Sequence, residues 1–540
     1  MTDVDVLVVG GGPVGLSLGL DLAHHGIDFL IAEAGDATVD HPRVGSVGPR
    51  TMEFFRRWGI AEQARNAGWP PDHTLDGAWV TSVGGYEIHR VRMGTVRERP
   101  ASDVSPEREQ VCPQHWLAPL LLRAADERPT GRVLLQHHVD RVTPGPDDVR
   151  ADLTDVRTGR IRSVRARYVV AADGASSPLR RALGIAAPAI HETRTFRNIL
   201  FRAPGLRAAL GDRAALFYFL MLSAGLRFPL RAIDGRSLYR LTVGVTGGPE
   251  ATMDAETLVR AAVSVDTPFE VLSDAEWHLT HRVAEDFRSG RVFLVGDAAH
   301  TLSPSGGFGM NTGISNAVNL GWKLAAAVRG WAGPHLLDTY RTECRPIALR
   351  SLDEANVNLR RTLDRPLPEH LADSSPEGER VRAEMSERLR RSGAQREFES
   401  MWVHLGLRYV SPAVDPDGTE PPEGGAGTWR QSSVPGCRAP HAWLPDGRST
   451  LDVFGSGFHL LACADVPGIG PMERAFAAAG VPFASTVCTE PDVLYCYERY
   501  AVLVRPDGHV AWRGDELPAD PAALVARVRG AEPARTGVPA

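Results

Sequence analysis

Lysine is almost missing from this chain of 540 residues: of 60 basic side chains, only Lys323 is Lys and the rest are Arg. That bias is the mark of a GC-rich genome and carries no information about the fold. Charge of one sign is also missing, since 66 acidic residues leave a formal net charge of −6. A protein that binds nucleic acid shows a basic patch or stripe, so that class is excluded. The six cysteines (Cys112, Cys344, Cys437, Cys463, Cys488 and Cys496) form no C-x-x-C pair and no Cys/His group with zinc spacing. Disulfide scaffolding and a metal site are therefore not expected. No stretch approaches the roughly 18 uninterrupted apolar residues of a membrane span. The start, Met1-Thr2-Asp3-Val4-Asp5, lacks the basic region of a signal peptide. The expectation is a soluble, cytoplasmic protein with no membrane partner.

What is present reads as a chain of three or four domain-sized units. Val4–Val9 is a β-rich run, followed by three glycines, a helical stretch to His25 and a second strand over Asp28–Glu33, which makes a βαβ start. A helix is expected over Leu117–Glu127. The strand-like runs Leu216–Leu220, Leu226–Leu230 and Leu238–Val243, with the turn Asp234-Gly235-Arg236 between the last two, point to a mostly antiparallel sheet. A strand–turn–helix unit returns at Arg291–Arg329. Four Pro and four Gly within Pro412–Gly427 mark a linker. The expected fold class is α/β. The boundaries are 1–180 and 287–360 for an interrupted nucleotide-binding domain, 181–286 for the sheet domain, 361–411 for a helical segment, 412–427 for the linker and 428–540 for a tail.

Three motifs carry chemistry. Gly10-x-Gly12-Pro13-x-Gly15 joins a strand to a helix, and Glu33 ends the next strand 18 residues after Gly15. Such glycines let a pyrophosphate approach the backbone at a helix N-terminus, and the acid is placed to accept from a ribose. The motif occurs once, so a second Rossmann domain for a nicotinamide is not expected. Asp173-Gly174 follows a buried strand and, taken alone, reads equally well as a structural left-handed turn. Gly296-Asp297 ends a further strand and leads through Pro304 to Gly309-Met310-Asn311 and a helix. A run of N–H groups opening a helix is an anion site, and Asp297 beside it can hold a polyol chain.

In that order and spacing the three motifs resemble the fingerprints of the single-component FAD aromatic hydroxylases, the para-hydroxybenzoate hydroxylase fold. The resemblance implies a Rossmann-like FAD domain interrupted by a substrate sheet. FAD would be held by Gly10, Gly12, Pro13, Gly15 and Glu33 at its adenosine end. Arg43, Gln114 and Asp297 would lie along the pyrophosphate and ribityl chain, Asp173 near the pyrophosphate, and the backbone of Pro304, Gly309, Met310 and Asn311 at the flavin. NAD(P)H would be a transient co-substrate. Longer segments, including HPRVGSVGPRTMEFFRRWG, CPQHWLAPLL and FPLRAIDGRSLYRLTVG, resemble the FAD monooxygenases of indolocarbazole biosynthesis, and Phe217, Arg240 and Thr242 resemble the rebeccamycin branch.

That closer resemblance implies a monooxygenase working beside a cytochrome P450 that acts on chromopyrrolic acid. It would hydroxylate and oxidatively decarboxylate a carboxylated indolocarbazole toward an arcyriaflavin or K252c-type aglycone. Arg231 and Arg240 would orient the substrate carboxylate, and Phe217, Thr242, Trp277 and Glu397 would line the slot. Without the resemblance, a given Arg is usually solvated and Phe217 and Trp277 are more often core. The tail resembles a thioredoxin-like domain; lacking C-x-x-C, it would be redox-inert and structural or homodimer-forming. His300 is given a packing or flavin-shell role, and Asn316 stands where relatives often carry Asp. Two other readings remain open: a hydroxylase of the same fold acting on a polyketide or phenol, and an FAD-containing protein that shelters a reactive intermediate without oxidising it.

Overall fold

The computed structural model describes all residues except 1, 44, 246, 247, 399, 400, 426, 427, 465, 467 and 533–540. The last two positions of the expected linker, Ala426 and Gly427, lie outside the described residues. Among the rest, no helix is long and apolar enough to cross a membrane.

The strand Val4–Val9 lies inside an eight-stranded sheet, paired in parallel with Ile161–Ala171 on one side and Phe29–Ala32 on the other. Val292–Leu294 continues the parallel core beyond Ile161–Ala171. Val6–Val9, Phe29–Ala32, Tyr168–Ala171 and Val292–Leu294 are buried throughout, as a parallel sheet covered by helices requires. The helix Pro13–His24 packs beside the 21-residue helix Phe308–Val328. Their close approach depends on Gly313, where a Cβ would come within 2.7 Å of Val14.

The middle sheet also has eight strands, ordered His300–Thr301, Glu270–Val283, Ala189–Arg202, Leu238–Gly244, Pro229–Ala232, Phe217–Leu220, Gly77–Val80 and Glu87–Val91. It is antiparallel except where Phe217–Leu220 runs parallel to Gly77–Val80. The hairpin at Asp234-Gly235-Arg236 forms as expected. Gly235 takes φ +67°, and Asp234 Oδ1 accepts from the N–H groups of Arg236, Ser237 and Leu238. Two of the eight strands come from residues 77–91, far outside the expected span of 181–286. Their pairing is long-range, so nothing local in the sequence announces it.

The tail forms a four-stranded sheet in the order Phe483–Val487, Phe458–Ala462, Ala501–Val504, Val510–Gly514, parallel for the first pair and antiparallel for the others. One face packs under the helices Ile469–Ala478 and Pro521–Val528. There it shares a core with Trp322 and Ala326 from the end of the helix Phe308–Val328. The helical segment between sheet and tail contains Thr339–Leu363 and Pro376–Arg391.

Candidate functional site

The first half of the site lies at the C-terminal ends of the parallel strands, where open α/β sheets bind ligands. Gly10 adopts φ +110°, and a Cβ there would stand 2.3 Å from the Ala172 carbonyl oxygen. A Cβ on Gly15 would stand 2.1 Å from the Gly10 oxygen, so both positions demand glycine. Gly12 has nothing within 4 Å of its missing Cβ, which leaves the turn open to an incoming group. Pro13 starts the helix. The two oxygens of Glu33 accept from Gly11 N–H (2.6 Å) and Gly35 N–H (2.7 Å), which fixes its carboxylate at the strand end beside that turn. Asp173 serves the local fold: it accepts from Ser177 Oγ at 2.6 Å and Leu179 N–H at 3.0 Å, bracing the first turn of the short helix Pro178–Ala182, which Ser177 caps.

Arg43 is exposed, and its carbonyl accepts from the N–H of Gln114, the first residue of the helix Gln114–Asp126. Asp297 is half-buried in the turn Gly296–Ala298. Pro304 is exposed, and its carbonyl receives the Gly307 N–H. Gly307 then caps the helix Phe308–Val328 in the left-handed region with no side chain to satisfy the first N–H groups. Gly309 and Met310, half-buried in that first turn, thus present free donors and the positive end of a long helix. The side chain of Asn311 points elsewhere. Its Oδ1 accepts from Gly48 N–H (2.8 Å) and Thr51 Oγ (2.7 Å), while its Nδ2 donates to the carbonyls of Ser46 and Gly307. Only its backbone is available to a ligand. The glycine turn, the open helix end and the anchored acid together fit a dinucleotide.

Behind this end, His300 is buried with Nε2 at 2.7 Å from Asn316 Oδ1. Burial holds its imidazole below the ordinary value, against the opposing pull of Asn316 and Asp297. The ring is therefore neutral at pH 7. With Asn rather than Asp opposite, the one charge that opposes burial is that of Asp297.

The second half of the site is one face of the middle sheet. In the strand Leu238–Gly244, Tyr239, Leu241 and Val243 enter a core on one side, so Arg240 and Thr242 face the other. Register then sets up a row across six strands: Gly77 opposite Phe217, Phe217 opposite Arg231, Arg231 opposite Arg240, Arg240 opposite Leu200, and Leu200 opposite Ser273. Arg231 and Arg240 are thus direct cross-strand neighbours. Arg240 is 5 % exposed, and the one hydrogen bond its side chain makes among the described residues is a long one of 3.4 Å to the Pro42 carbonyl. The Arg231 guanidinium lies 5.7 Å from the Phe217 ring. Neither Nε has a partner among the described residues. Burial lowers both guanidinium groups from their ordinary value, and Arg231 and Arg43 press Arg240 further down. Arg240 thus has no counter-ion among the described residues, whereas Arg231 has Glu397 near it.

Thr242 donates to Asn198 Oδ1 at 3.0 Å across the strand pair. Trp277 stacks on Phe196 with centroids 5.2 Å apart, and its Nε1 has no partner among the described residues. Glu397 ends the turn Ala394–Glu397. Burial raises its carboxyl above the ordinary value, although Arg365, Arg231 and Arg361 pull it back. The structure therefore brings Phe217, Arg231, Arg240 and Thr242 to one sheet face with Trp277, and sets Glu397 against Arg231.

Three further residues of this face escaped the sequence reading. His41 places Nδ1 2.9 Å from Ser273 Oγ, at the end of the row. Asn198 holds Thr242, and strand alternation opposite Thr242 was the signal for it. Arg365 is buried over the stacked pair Trp79 and Phe219 (5.7 and 5.8 Å), and burial pushes it down to about 10. Nothing local distinguishes it among 59 arginines.

Comparisons with known proteins agree with this geometry. Residues 3–355 match the family described as FAD binding domain, and residues 432–531 match the aromatic-ring hydroxylase C-terminal family. Over 99 % of both chains, the sequence is 33 % identical to tetracenomycin B2 monooxygenase-dioxygenase of Streptomyces olivaceus. Two solved structures superpose on it with a TM-score of 0.94, each covering 98 % of this chain and 99 % of the other. One, 59 % identical, is chromopyrrolic acid-soaked RebC with bound 7-carboxy-K252c. The other, 60 % identical, is the rebeccamycin biosynthetic enzyme RebC with reduced flavin.

Proposed function

The chain belongs to the FAD-binding aromatic-ring hydroxylases, FAD-dependent monooxygenases, and from that premise we propose that its substrate is a flat, carboxylated indolocarbazole of the 7-carboxy-K252c type. The observation that carries this reading is the row Phe217–Arg231–Arg240. It offers two adjacent cations, Arg240 buried with no counter-ion among the described residues and Arg231 half-buried with Glu397 as its one anionic neighbour among them, in a chain 59 % identical to a protein that binds 7-carboxy-K252c. The reaction is hydroxylation at the carboxylated carbon with oxidative decarboxylation, toward an arcyriaflavin or K252c-type aglycone in antibiotic biosynthesis.

Bound FAD supplies reduction by NAD(P)H and the activation of O2. Gly10, Gly12, Pro13, Gly15 and Glu33 would hold its adenosine end. Arg43, Gln114, Asp173 and Asp297 would lie along the pyrophosphate and ribityl chain, and Pro304 and the N–H groups of Gly309, Met310 and Asn311 would lie at the ring. Arg231 and Arg240 take the substrate carboxylate bidentately and so fix which carbon is presented. Phe217 and Trp277 flank the flat ring system, with Thr242 and Glu397 at its edge. Burial around Arg240 and Glu397 keeps water from competing for the reactive centre.

The strand order of the tail supports a thioredoxin-like domain. Burial pushes the Cys463 thiol up to about 12, which supports a redox-inert role for it. We further read the protein as cytoplasmic, working next to a cytochrome P450 of the same pathway, with the tail as a homodimer contact. The test is mass spectrometry of the P450 reaction on chromopyrrolic acid, with and without this protein, FAD and NAD(P)H. A new decarboxylated, oxygenated aglycone is expected, and an unchanged product spectrum refutes the reading. The tetracenomycin relative favours a second reading, a polyketide hydroxylase. Product-coupled NAD(P)H consumption with fused-ring polyketides, absent with indolocarbazoles, would favour it.

A further inference from the structure

The C-terminal domain reaches the cofactor end of the molecule through buried charge. Its turn Arg505–His509 is wedged between the helix Pro49–Arg57 and the helix Phe308–Val328. On one side Arg50 Nη2 donates to the Asp507 carbonyl at 2.7 Å and Arg57 Nη1 to the Pro506 carbonyl at 2.8 Å. On the other, Trp322 Nε1 donates to Asp507 Oδ2 at 3.2 Å, and Arg505 makes two bonds to Glu343 at 2.8 and 2.9 Å. Glu343 also receives Lys323 Nζ at 2.7 Å, so the chain's one lysine is spent, fully buried, on this joint. Beside the wedge, Arg438, bridged through its backbone to His509, grips both oxygens of Glu53. Glu53 lies two residues from Thr51, on the opposite side of the helix, and it also receives Arg50 (2.8 Å) and Ser105 (2.7 Å).

The far side of the helix Pro49–Arg57 holds the flavin end. Its cap Gly48 and its Thr51 both donate to Asn311 Oδ1, and Asn311 Nδ2 donates to the Gly307 carbonyl in the first turn of the helix Phe308–Val328. One short helix is therefore clamped by the C-terminal domain at Glu53 and by the open helix end at Asn311. Buried charges with several donors each tolerate little displacement, because a shift leaves a desolvated group unpaired.

We propose that Arg438 is a positioning residue for the flavin: acting through Glu53 and the helix Pro49–Arg57, it sets Gly48, Thr51 and Asn311 and so the backbone donors at Gly309 and Met310. The C-terminal domain is thus part of the cofactor site without touching it. This rests on FAD being seated against that first turn.

The test uses the full chain. Apoprotein of Arg438→Met is followed by hydrogen exchange at residues 46–51 and 307–311, and its FAD dissociation constant is measured by flavin fluorescence. Faster exchange in both segments and at least tenfold weaker FAD are expected, with partial recovery in Arg438→Lys. Thr51→Val, which breaks the same chain of contacts in a side chain of nearly equal volume, should reproduce both effects if Arg438→Met fails to fold. Arg513→Met is the control: it loosens the tail at Asp417 and Glu498 without reaching Glu53, and should leave FAD binding within twofold. Unchanged exchange or unchanged FAD affinity in folded Arg438→Met overturns the proposal, as does equal loss in Arg513→Met. Gly12→Val tests the seat of the cofactor separately. FAD lost there but kept in Arg438→Met refutes the positioning role alone, and FAD kept in both refutes the seat as well.

Discussion

Arg240→Met separates the two demands that this protein places on one side chain. In the ligand-free protein Arg240 is 5 % exposed, sits opposite Arg231 and has one long hydrogen bond. A buried ion pays a desolvation cost of several kcal/mol, and here no counter-charge returns it. Met has comparable length, fills the space and carries no charge. The apoprotein should therefore gain about 1–3 kcal/mol from the substitution. For an FAD and sheet unit of this size that is a rise in Tm of roughly 1–4 °C. Loss of a bidentate pair to a carboxylated ligand costs about 2–5 kcal/mol, or roughly thirtyfold to several-thousandfold in Kd. The assay is differential scanning fluorimetry with and without a carboxylated indolocarbazole, followed by titration. Wild type should melt below the variant when empty and above it when the ligand is present. If the empty variant melts lower than wild type and binds the carboxylated ligand within threefold, Arg240 is a structural cation and the reading of this face is wrong.

The remaining predictions concern buried charge elsewhere. Glu343→Gln leaves Lys323 buried with only Asn319 and should cost about 3–5 kcal/mol in urea unfolding; a loss under about 1 kcal/mol would refute the joint as a stabilising element. Burial alone would raise the Glu343 carboxyl, but Arg505 and Lys323 overrule it and hold it well below its ordinary 4.5. A depressed carboxyl stabilises the fold above its unfolded pKa, so wild type should lose stability as pH falls below about 4.5, by about 1.4 kcal/mol per pH unit for this group. Glu343→Gln should show a shallower acid limb in pH-dependent melting, and parallel limbs would exclude the assignment. Asn316→Asp sets a carboxylate against His300 Nε2 and should raise that imidazole by about one to three pH units. Histidine NMR reads this directly, and an unmoved titration would show that Asn316 does not set the charge state of His300.

The glycine turn was legible because its geometry is local: Gly10 and Gly15 are forced by contacts within one strand–turn–helix, and spacing alone reveals them. The parallel core was legible because strands buried on both faces read as apolar runs. The middle sheet was legible as strands but not as a sheet, because Gly77–Val80 pairs with Phe217–Leu220 across some 140 residues of chain. The same distance hid the site. Arg231 and Arg240 stood out through resemblance, while Arg365 and His41 gain their meaning from aromatic rings and a serine brought in by tertiary register. Lys323 illustrates the limit well. A lone lysine in an Arg-rich chain looks like chance, and only its burial between Asn319 and Glu343 gives it work. Asn311 shows another limit: the motif points to its backbone at the flavin, and nothing local announces that both ends of its side-chain amide bind Gly48, Thr51, Ser46 and Gly307.

The two halves of the site are built from different materials, and that difference bears on how such proteins diverge. The cofactor half offers mostly backbone: a glycine turn, an uncapped helix end and one anchored acid. Those features need few particular side chains and survive extensive substitution. The substrate half is a row of side chains on alternate positions of a sheet whose other face is core. In the strand Leu238–Gly244, Arg240 and Thr242 can change while Tyr239, Leu241 and Val243 keep the sheet packed. On the proposed reading, substrate preference can drift at Arg240 while the sheet's other face stays packed, and loss of that buried, unpaired cation would even stabilise the empty protein. Arg240, buried beside Arg231 with no counter-ion among the described residues, is costly in the empty protein. Its presence argues for a ligand that offsets that cost, an anionic group small and flat enough to meet both guanidinium groups at once.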